Sequence, residues 1–204
     1  MAALPEDIWQ QIYNDYHIKR IIVDEANSCF SSQNGVLYNR DMTELLCYPR
    51  GKQSKNYHMP RTVSKIAPMA FSNGNGGATK LEEVFLSPSL KEIPDNCFRG
   101  MEIFGISIPE GIEIIGEYAF ASTNLVCPTL PASLRHLSTT AFRDCSRMHL
   151  MNIKENNFGL EKSMLPDNGE IHVIIETFEP VDHSKYQGIS VMNLTEMEKW
   201  VMEI

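Results

Sequence analysis

The sequence lacks most of what catalytic or metal-binding folds require. No Cys-x-x-Cys pair occurs, and the cysteines, Cys29, Cys47, Cys97, Cys127 and Cys145, are odd in number. Such spacing suggests neither a disulfide framework nor a zinc site. Cys97 and Cys145 fall at positions that read as buried, and all five are read as small structural hydrophobes. The histidines, His17, His58, His136, His149, His172 and His183, form no His-x-x-x-His or His-Glu-x-x-His arrangement, so no metal site is expected. There is no Gly-x-Ser-x-Gly elbow for an activated serine. Cys47 or Cys127 with a distant histidine stays open as a nucleophile pair, although inert thiols are commoner. The stretch Gly74–Gly77 lacks the Gly-Lys-Ser/Thr ending of a phosphate loop and reads as a flexible loop. The pair Glu82–Glu83 reads as a solvated strand edge. No catalytic residue, metal or cofactor is expected, and the chain is read as a non-enzyme.

Long apolar runs are missing too. Nowhere do about 18 consecutive apolar residues occur, so no membrane span is expected. No Lys/Arg cluster stands out against a formal charge of −8, from 18 basic and 26 acidic residues. An acidic surface repels phosphate backbones and anionic lipid heads, which argues against nucleic acid or a membrane surface as partner. The charge equally serves solubility alone. The first residues, MAALPEDIWQQIYNDY, carry neither a basic n-region nor an apolar run long enough for a signal peptide. The chain is therefore cytoplasmic if Met1 is the true start, or an export signal has been removed. With 43% hydrophobic and 22% charged residues it can bury a core.

What is present is a repeat. Four blocks share one template: MPRTVSKIAPMAF (Met59–Phe71), LSPSLKEIPDNCF (Leu86–Phe98), IPEGIEIIGEYAF (Ile108–Phe120) and LPASLRHLSTTAF (Leu130–Phe142). The closing phenylalanines advance by 27, 22 and 22 residues, the longer step holding the Gly/Asn-rich insertion SNGNGGATK. Apolar residues recur at the opening (Met59, Leu86, Ile108, Leu130), four later (Val63, Leu90, Ile112, Leu134) and three further on (Ile66, Ile93, Ile115, Leu137). A small residue precedes each ring: Ala70, Cys97, Ala119, Ala141. A unit of this length cannot enclose a core alone, but stacked units can bury equivalent side chains in ladders. Ahead of the blocks, Val84/Leu86 and Ile106/Ile108 alternate as half-buried strands do. Pro128 takes the Val84 position in the next unit and weakens that strand.

These blocks resemble the leucine-rich repeats of the BspA-like family, with an apolar-Pro pair, an apolar-x-x-Ile-Gly turn and a closing Ala-Phe. Pro68, Pro94 and Ser138 depart from the Gly116-type turn, which reads as local variation. GVLYNRDMTELLCYPRGK (Gly35–Lys52) resembles the hairpin insertion that precedes the first full repeat in such proteins. The resemblance implies a mostly β (α+β) solenoid, a right-handed leucine-rich-repeat coil with short strands on one face. A small helical N-cap and a non-repeat C-terminal cap would close it.

The expected organisation is an N-terminal cap over 1–17, repeats over 18–153 with the hairpin near 35–52, and a cap or small subdomain over 154–204. In the first cap, Pro5, Glu6 and Asp7 suit a helix start, and Ile8, Ile12, Tyr13 and Tyr16 make an apolar stripe. His17–Asn27 reads as an edge strand. In the last segment Ile171–Phe178 reads as a strand, and Thr195 with Glu198 as a capping box. Met197, Trp200, Val201 and Ile204 then share one helix face.

If Val84 and Leu86 point inward, Glu83 and Phe85 point outward. The aligned outward residues are Arg20, Ile22, Asp24, Asn56, His58, Gly105, Ser107, Cys127 and Thr129. The candidate binding face is His58, Phe85, Glu83, Ile22, Arg20, Asn56, Ser107 and Thr129, with His58 and Phe85 foremost, because aromatic anchors dominate many interfaces. Scattered exposed apolar residues are also normal. By resemblance the chain is a bacterial surface or secreted adhesion protein, monomeric, holding a host or matrix protein. Alternatives are a cytoplasmic binding or neutralising partner, and an enzyme with its site in the last fifty residues.

Overall fold

The computed structural model describes residues 8–9, 11–12, 15–71, 79–154, 159–167, 171–186 and 188–202, with only backbone at 200–202. Short apolar runs ahead of the first block, Val36–Tyr38 and Leu45–Cys47, anchor an antiparallel meander of β1 (Phe30–Gln33), β2 (Val36–Asn39) and β3 (Glu44–Cys47). Asn34 and Gly35 turn β1 into β2 with φ of 52° and 79°, the left-handed pair that matches the twist of a tight hairpin. The expected hairpin at 35–52 is thus joined by a further strand, β1. At the second turn, Asn39 Oδ1 accepts from the N–H groups of Thr43 and Glu44, both at 2.9 Å.

The repeats wind into a solenoid held by three rows of backbone hydrogen bonds. On one side β4 (Asn56–His58), β6 (Glu83–Phe85) and β8 (Gly105–Ser107) pair in parallel, Tyr57 beside Val84 beside Ile106. On a second side β7 (Glu92–Ile93), β9 (Ile114–Ile115) and β11 (His136–Leu137) do the same, while β5 (Lys65–Ile66) pairs back with β3. In this row Ala67, Gly116 and Ser138 donate their N–H to the preceding coil. Pro94 holds the same position without an N–H, and β5 and β7 are unpaired there. The third row runs Phe98 N to Ala119 O and Phe120 N to Ala141 O, each 2.8 Å.

Inside, the rings stack as the repeat demands. Centroid distances are 4.8 Å for Phe71–Phe98, 5.4 Å for Phe98–Phe120 and 5.2 Å for Phe120–Phe142. Tyr48 extends the stack into the meander, 5.2 Å from Phe71. The small residues Ala70, Cys97, Ala119 and Ala141 are buried beside the rings. The coils turn through left-handed corners two residues before the ring at Met69, Asn96 and Tyr118, and two after it at Gly100, Ser122 and Asp144; Thr140, ahead of Phe142, is not left-handed.

Gly116 answers a close approach rather than a positive φ. A Cβ there would lie 2.9 Å from the Asp95 backbone nitrogen and collide with its carboxylate, which accepts from Glu117 N at 2.7 Å. The second repeat block and the third are thereby tied across the turn.

Pro128 interrupts the strand side as expected. β10 (Thr129–Leu130) is two residues long, starts after the proline and pairs forward with β12 (Leu150–Lys154) instead of back with β8. The parallel ladder then continues through β13 (His172–Glu176) and β14 (Ser190–Asn193). Strand-side stacking therefore runs on into 154–204, where the phenylalanine template has stopped, and α1 (Leu194–Met202) follows β14 directly.

Several local expectations change. The strand at Ile171–Phe178 is present as β13. The capping box sits two residues earlier than Thr195/Glu198: Asn193 N donates to Glu196 Oε2 at 2.9 Å, and Glu196 N to Asn193 Oδ1 at 2.8 Å. Asn193 is the last strand residue, so its extended backbone is already in the N-cap conformation. His17–Asn27 forms no strand. Gly51 N reaches Ile18 O and Ile21 N reaches Gly35 O, which spends this segment's backbone on the meander. Residues 8–9 and 11–12 are helical, yet Ile8 and Tyr16 are exposed rather than buried in a stripe. Pro5, Glu6, Asp7, Tyr13, Gly74–Gly77 and the side chains of Trp200, Val201 and Ile204 lie outside the described residues.

Candidate functional site

Strand alternation sets the outward face. Tyr57, Val84 and Leu86 are buried, and Asn56, His58, Glu83 and Phe85 project to solvent. Ser107 on β8 is exposed, in the same column as His58 and Phe85; Thr129 holds the equivalent repeat position on β10 and is half-buried, but β10 pairs with β12 and not with β8. Five of the eight candidate residues thus come together: Asn56, His58, Glu83, Phe85 and Ser107. Arg20 and Ile22 do not join them, since their segment is bonded to the turn at Gly35 and to Gly51. Ile22 is 73% exposed there, beside Asn34, Lys52 and Gln53 around a 670 Å³ depression.

His58 and Phe85 pack face to face, with ring centroids 4.2 Å apart and planes 6° from parallel. Parallel pairing leaves equivalent side chains about 4.8 Å apart, so planar groups in one column stack naturally. Each ring shields one face of the other and keeps its outer face and edge in water.

Glu83 leans along the column next to this stack. A Cβ built on Gly105 would lie 3.6 Å from Glu83 Cγ and 4.0 Å from its Oε1, so the carboxylate hangs over the glycine. Neighbouring carboxylates are occupied: Glu82 meets Lys55 at 2.8 Å, Glu110 meets Lys154 at 2.9 Å, and Glu113 faces Lys91 and Arg135, both at 3.8 Å. Among the described residues no cation pairs with Glu83.

Two apolar residues on this side escaped the sequence reading. Phe104 and Val126, 42% and 45% exposed, occupy one repeat position just ahead of Gly105 and Cys127. The Arg147 guanidinium covers the Phe104 ring at 5.5 Å. Their 22-residue spacing was the available signal, masked by Glu82 at the same place in the preceding coil.

The cysteines divide. Cys47, Cys97 and Cys145 are buried, as a structural role requires, and burial pushes the Cys47 thiol up to about 12. Cys29 is half-buried, and Cys127 is exposed on the outward face, so the reading of all five as core hydrophobes does not hold there. Partial burial, and then the Glu176 charge, hold the Cys127 thiol above its ordinary value. Among the described residues no group of three or more His, Cys, Asp or Glu could hold a metal ion, and no helix is long and apolar enough to cross a membrane. A 790 Å³ cavity between Lys162–Asp167 and Gly188–Ser190 is lined by mixed side chains.

Short parallel strands on one face, ring ladders inside and a coil of about 22 residues define a leucine-rich-repeat solenoid. The BspA type leucine-rich repeat region matches residues 76–177 in six copies, and the chain belongs to that family. Among solved structures, the pneumococcal vaccine antigen PcpA superposes with a TM-score of 0.68 at 19% identity, over 86% of this chain and 50% of that one. A leucine-rich repeat protein from Eubacterium ventriosum gives 0.52 at 20% identity, over 86% of this chain and 42% of that one. The chain thus spans half or less of either neighbour. No curated protein matches.

Proposed function

We propose that the chain is a non-catalytic protein-binding module whose outward strand face, centred on His58 and Phe85, holds its partner. The observation that carries this reading is the exposed, face-to-face pair of rings on a parallel strand side. Rigid aromatic groups bind with little loss of conformational freedom, and a solenoid presents them on an extended surface. Gly105 and Ser107 beside them leave room for an incoming side chain. The family supports protein interaction as the general role.

Exposure outside the producing bacterium, with adhesion to a host or matrix protein, is the second part of the proposal. The fold shared with a pneumococcal vaccine antigen supports it. The monomer remains part of the reading, because the strand face is then free for a partner.

The test immobilises the chain beside a His58→Ala, Phe85→Ala double variant and challenges both with host-surface extract and bacterial cytosol. A host-surface protein held by the original and lost by the variant is the expected result. A partner drawn only from the cytosol would replace adhesion with an intracellular role. Equal retention by both baits would remove the strand face as the site.

A further inference from the structure

We infer that the strand face receives an arginine side chain of its protein partner, its guanidinium stacked on the free face of Phe85 and paired with Glu83. This rests on the strand face being the binding site.

The slot follows from three neighbouring rungs. Phe85 has His58 on one side and Ser107, its register partner, on the other. Ser107 ends at its hydroxyl, so the Phe85 face toward β8 stands above its neighbour. β8 is the last strand of this paired row, so no further rung of it crowds the ring beyond Ser107. The space above the short Ser107 side chain admits one planar group against the ring. Beside the slot, Gly105 contributes no side chain, and the Glu83 carboxylate, without a cation among the described residues, extends over it.

The chemistry selects the guest. A planar cation satisfies both walls, since a guanidinium stacks on an aromatic face and donates two parallel hydrogen bonds to a carboxylate. An ammonium offers a point charge without the flat surface. The fold already uses this contact on itself: Arg147 lies 5.5 Å over Phe104, and Arg99 lies 5.1 Å over Tyr118. Phe104 adjoins the face and has its cation, whereas Phe85 has none among the described residues. The charge of −8 draws a cationic segment toward the whole molecule.

A random linear peptide library displayed on phage, panned against the whole chain, tests this. Enriched peptides are then measured against the original protein and its Glu83→Gln, Phe85→Ala and Phe85→Leu variants. The expected outcome is a recurring arginine whose replacement by lysine weakens binding about three- to tenfold, with similar losses for Glu83→Gln and Phe85→Leu. Phe85→Leu keeps the apolar bulk and isolates the ring's contribution. Peptides that need Phe85 but carry no required arginine would overturn the inference and leave the strand face standing. Peptides indifferent to Phe85→Ala, or no enrichment over a bare support, would overturn both.

Discussion

The hydroxyls of Tyr38 and Tyr57 meet at 2.6 Å inside the core, tying the antiparallel meander to the first rung of the parallel side. Burial raises both phenols, and the Tyr38 charge raises Tyr57 further. Replacing one partner strands the other hydroxyl away from water, whereas replacing both leaves an apolar contact. Tyr57→Phe should cost about 1–3 kcal/mol, and Tyr38→Phe/Tyr57→Phe together less than the sum of the singles. Urea denaturation of the four proteins measures the coupling.

The same pair sets an alkaline limit. Folded phenols that titrate above the unfolded value let the unfolded chain lose its protons first as pH rises. Their contribution to stability is complete below about pH 10 and declines above it. Thermal melts from pH 8 to 11 should show a steeper fall for the original than for the double phenylalanine variant.

Within the ring ladder, Phe98 and Phe120 are fully buried between neighbours on both sides. Phe120→Ala should cost about 3–5 kcal/mol. Phe85→Ala, on the exposed side, should change stability by less than about 1 kcal/mol. Denaturant midpoints for the two variants separate a core ring from a surface one.

Corner conformation yields a stabilising change. Ser122 occupies the left-handed corner that Gly100 fills one coil earlier, with φ of 57° against 71°. Ser122→Gly relieves the Cβ conflict and should gain about 0.5–1 kcal/mol after the added chain entropy is counted. Ala132→Gly, exposed and without positive φ, should lower the denaturation midpoint instead.

Thiol labelling distinguishes the cysteines. Native protein treated with iodoacetamide should modify Cys127 first and leave Cys47, Cys97 and Cys145 intact until unfolding. Because its thiol sits above the ordinary value, Cys127 should label more slowly than a free thiol and quicken as pH rises. Peptide mass mapping gives the order.

Much of this was legible in the sequence because it was written more than once. The ladder from Phe71 to Phe142, the small residue before each ring and the inward Val84 against outward Phe85 all repeat in register. Features stated once were harder to read. Thr195/Glu198 and Asn193/Glu196 offer the same cap chemistry, and only the end of β14 decides between them. His17–Asn27 alternates like a strand, but the Gly35 and Gly51 backbone claims its hydrogen bonds. β13 and β14 lack the closing Ala-Phe, so their place in the ladder depends on pairing with β12 rather than on pattern. The candidates His58 and Phe85 were visible from alternation. Their stacking is a rotamer choice that no spacing encodes.

The hydrogen bonds between the regular coils mostly link residues 21 to 23 apart, as from Phe98 N to Ala119 O, from Glu117 N to Asp95 and from Gly116 N to Ile93 O. Such a chain tolerates change in whole quanta. Excising residues 99–120 would set Phe98 against Phe142 with every rung still in phase, while losing a single residue inside a repeat block would throw that block's side chains off their row. Duplication of one coil is equally silent to its neighbours, so this architecture can lengthen or shorten by recombination without redesigning its interior.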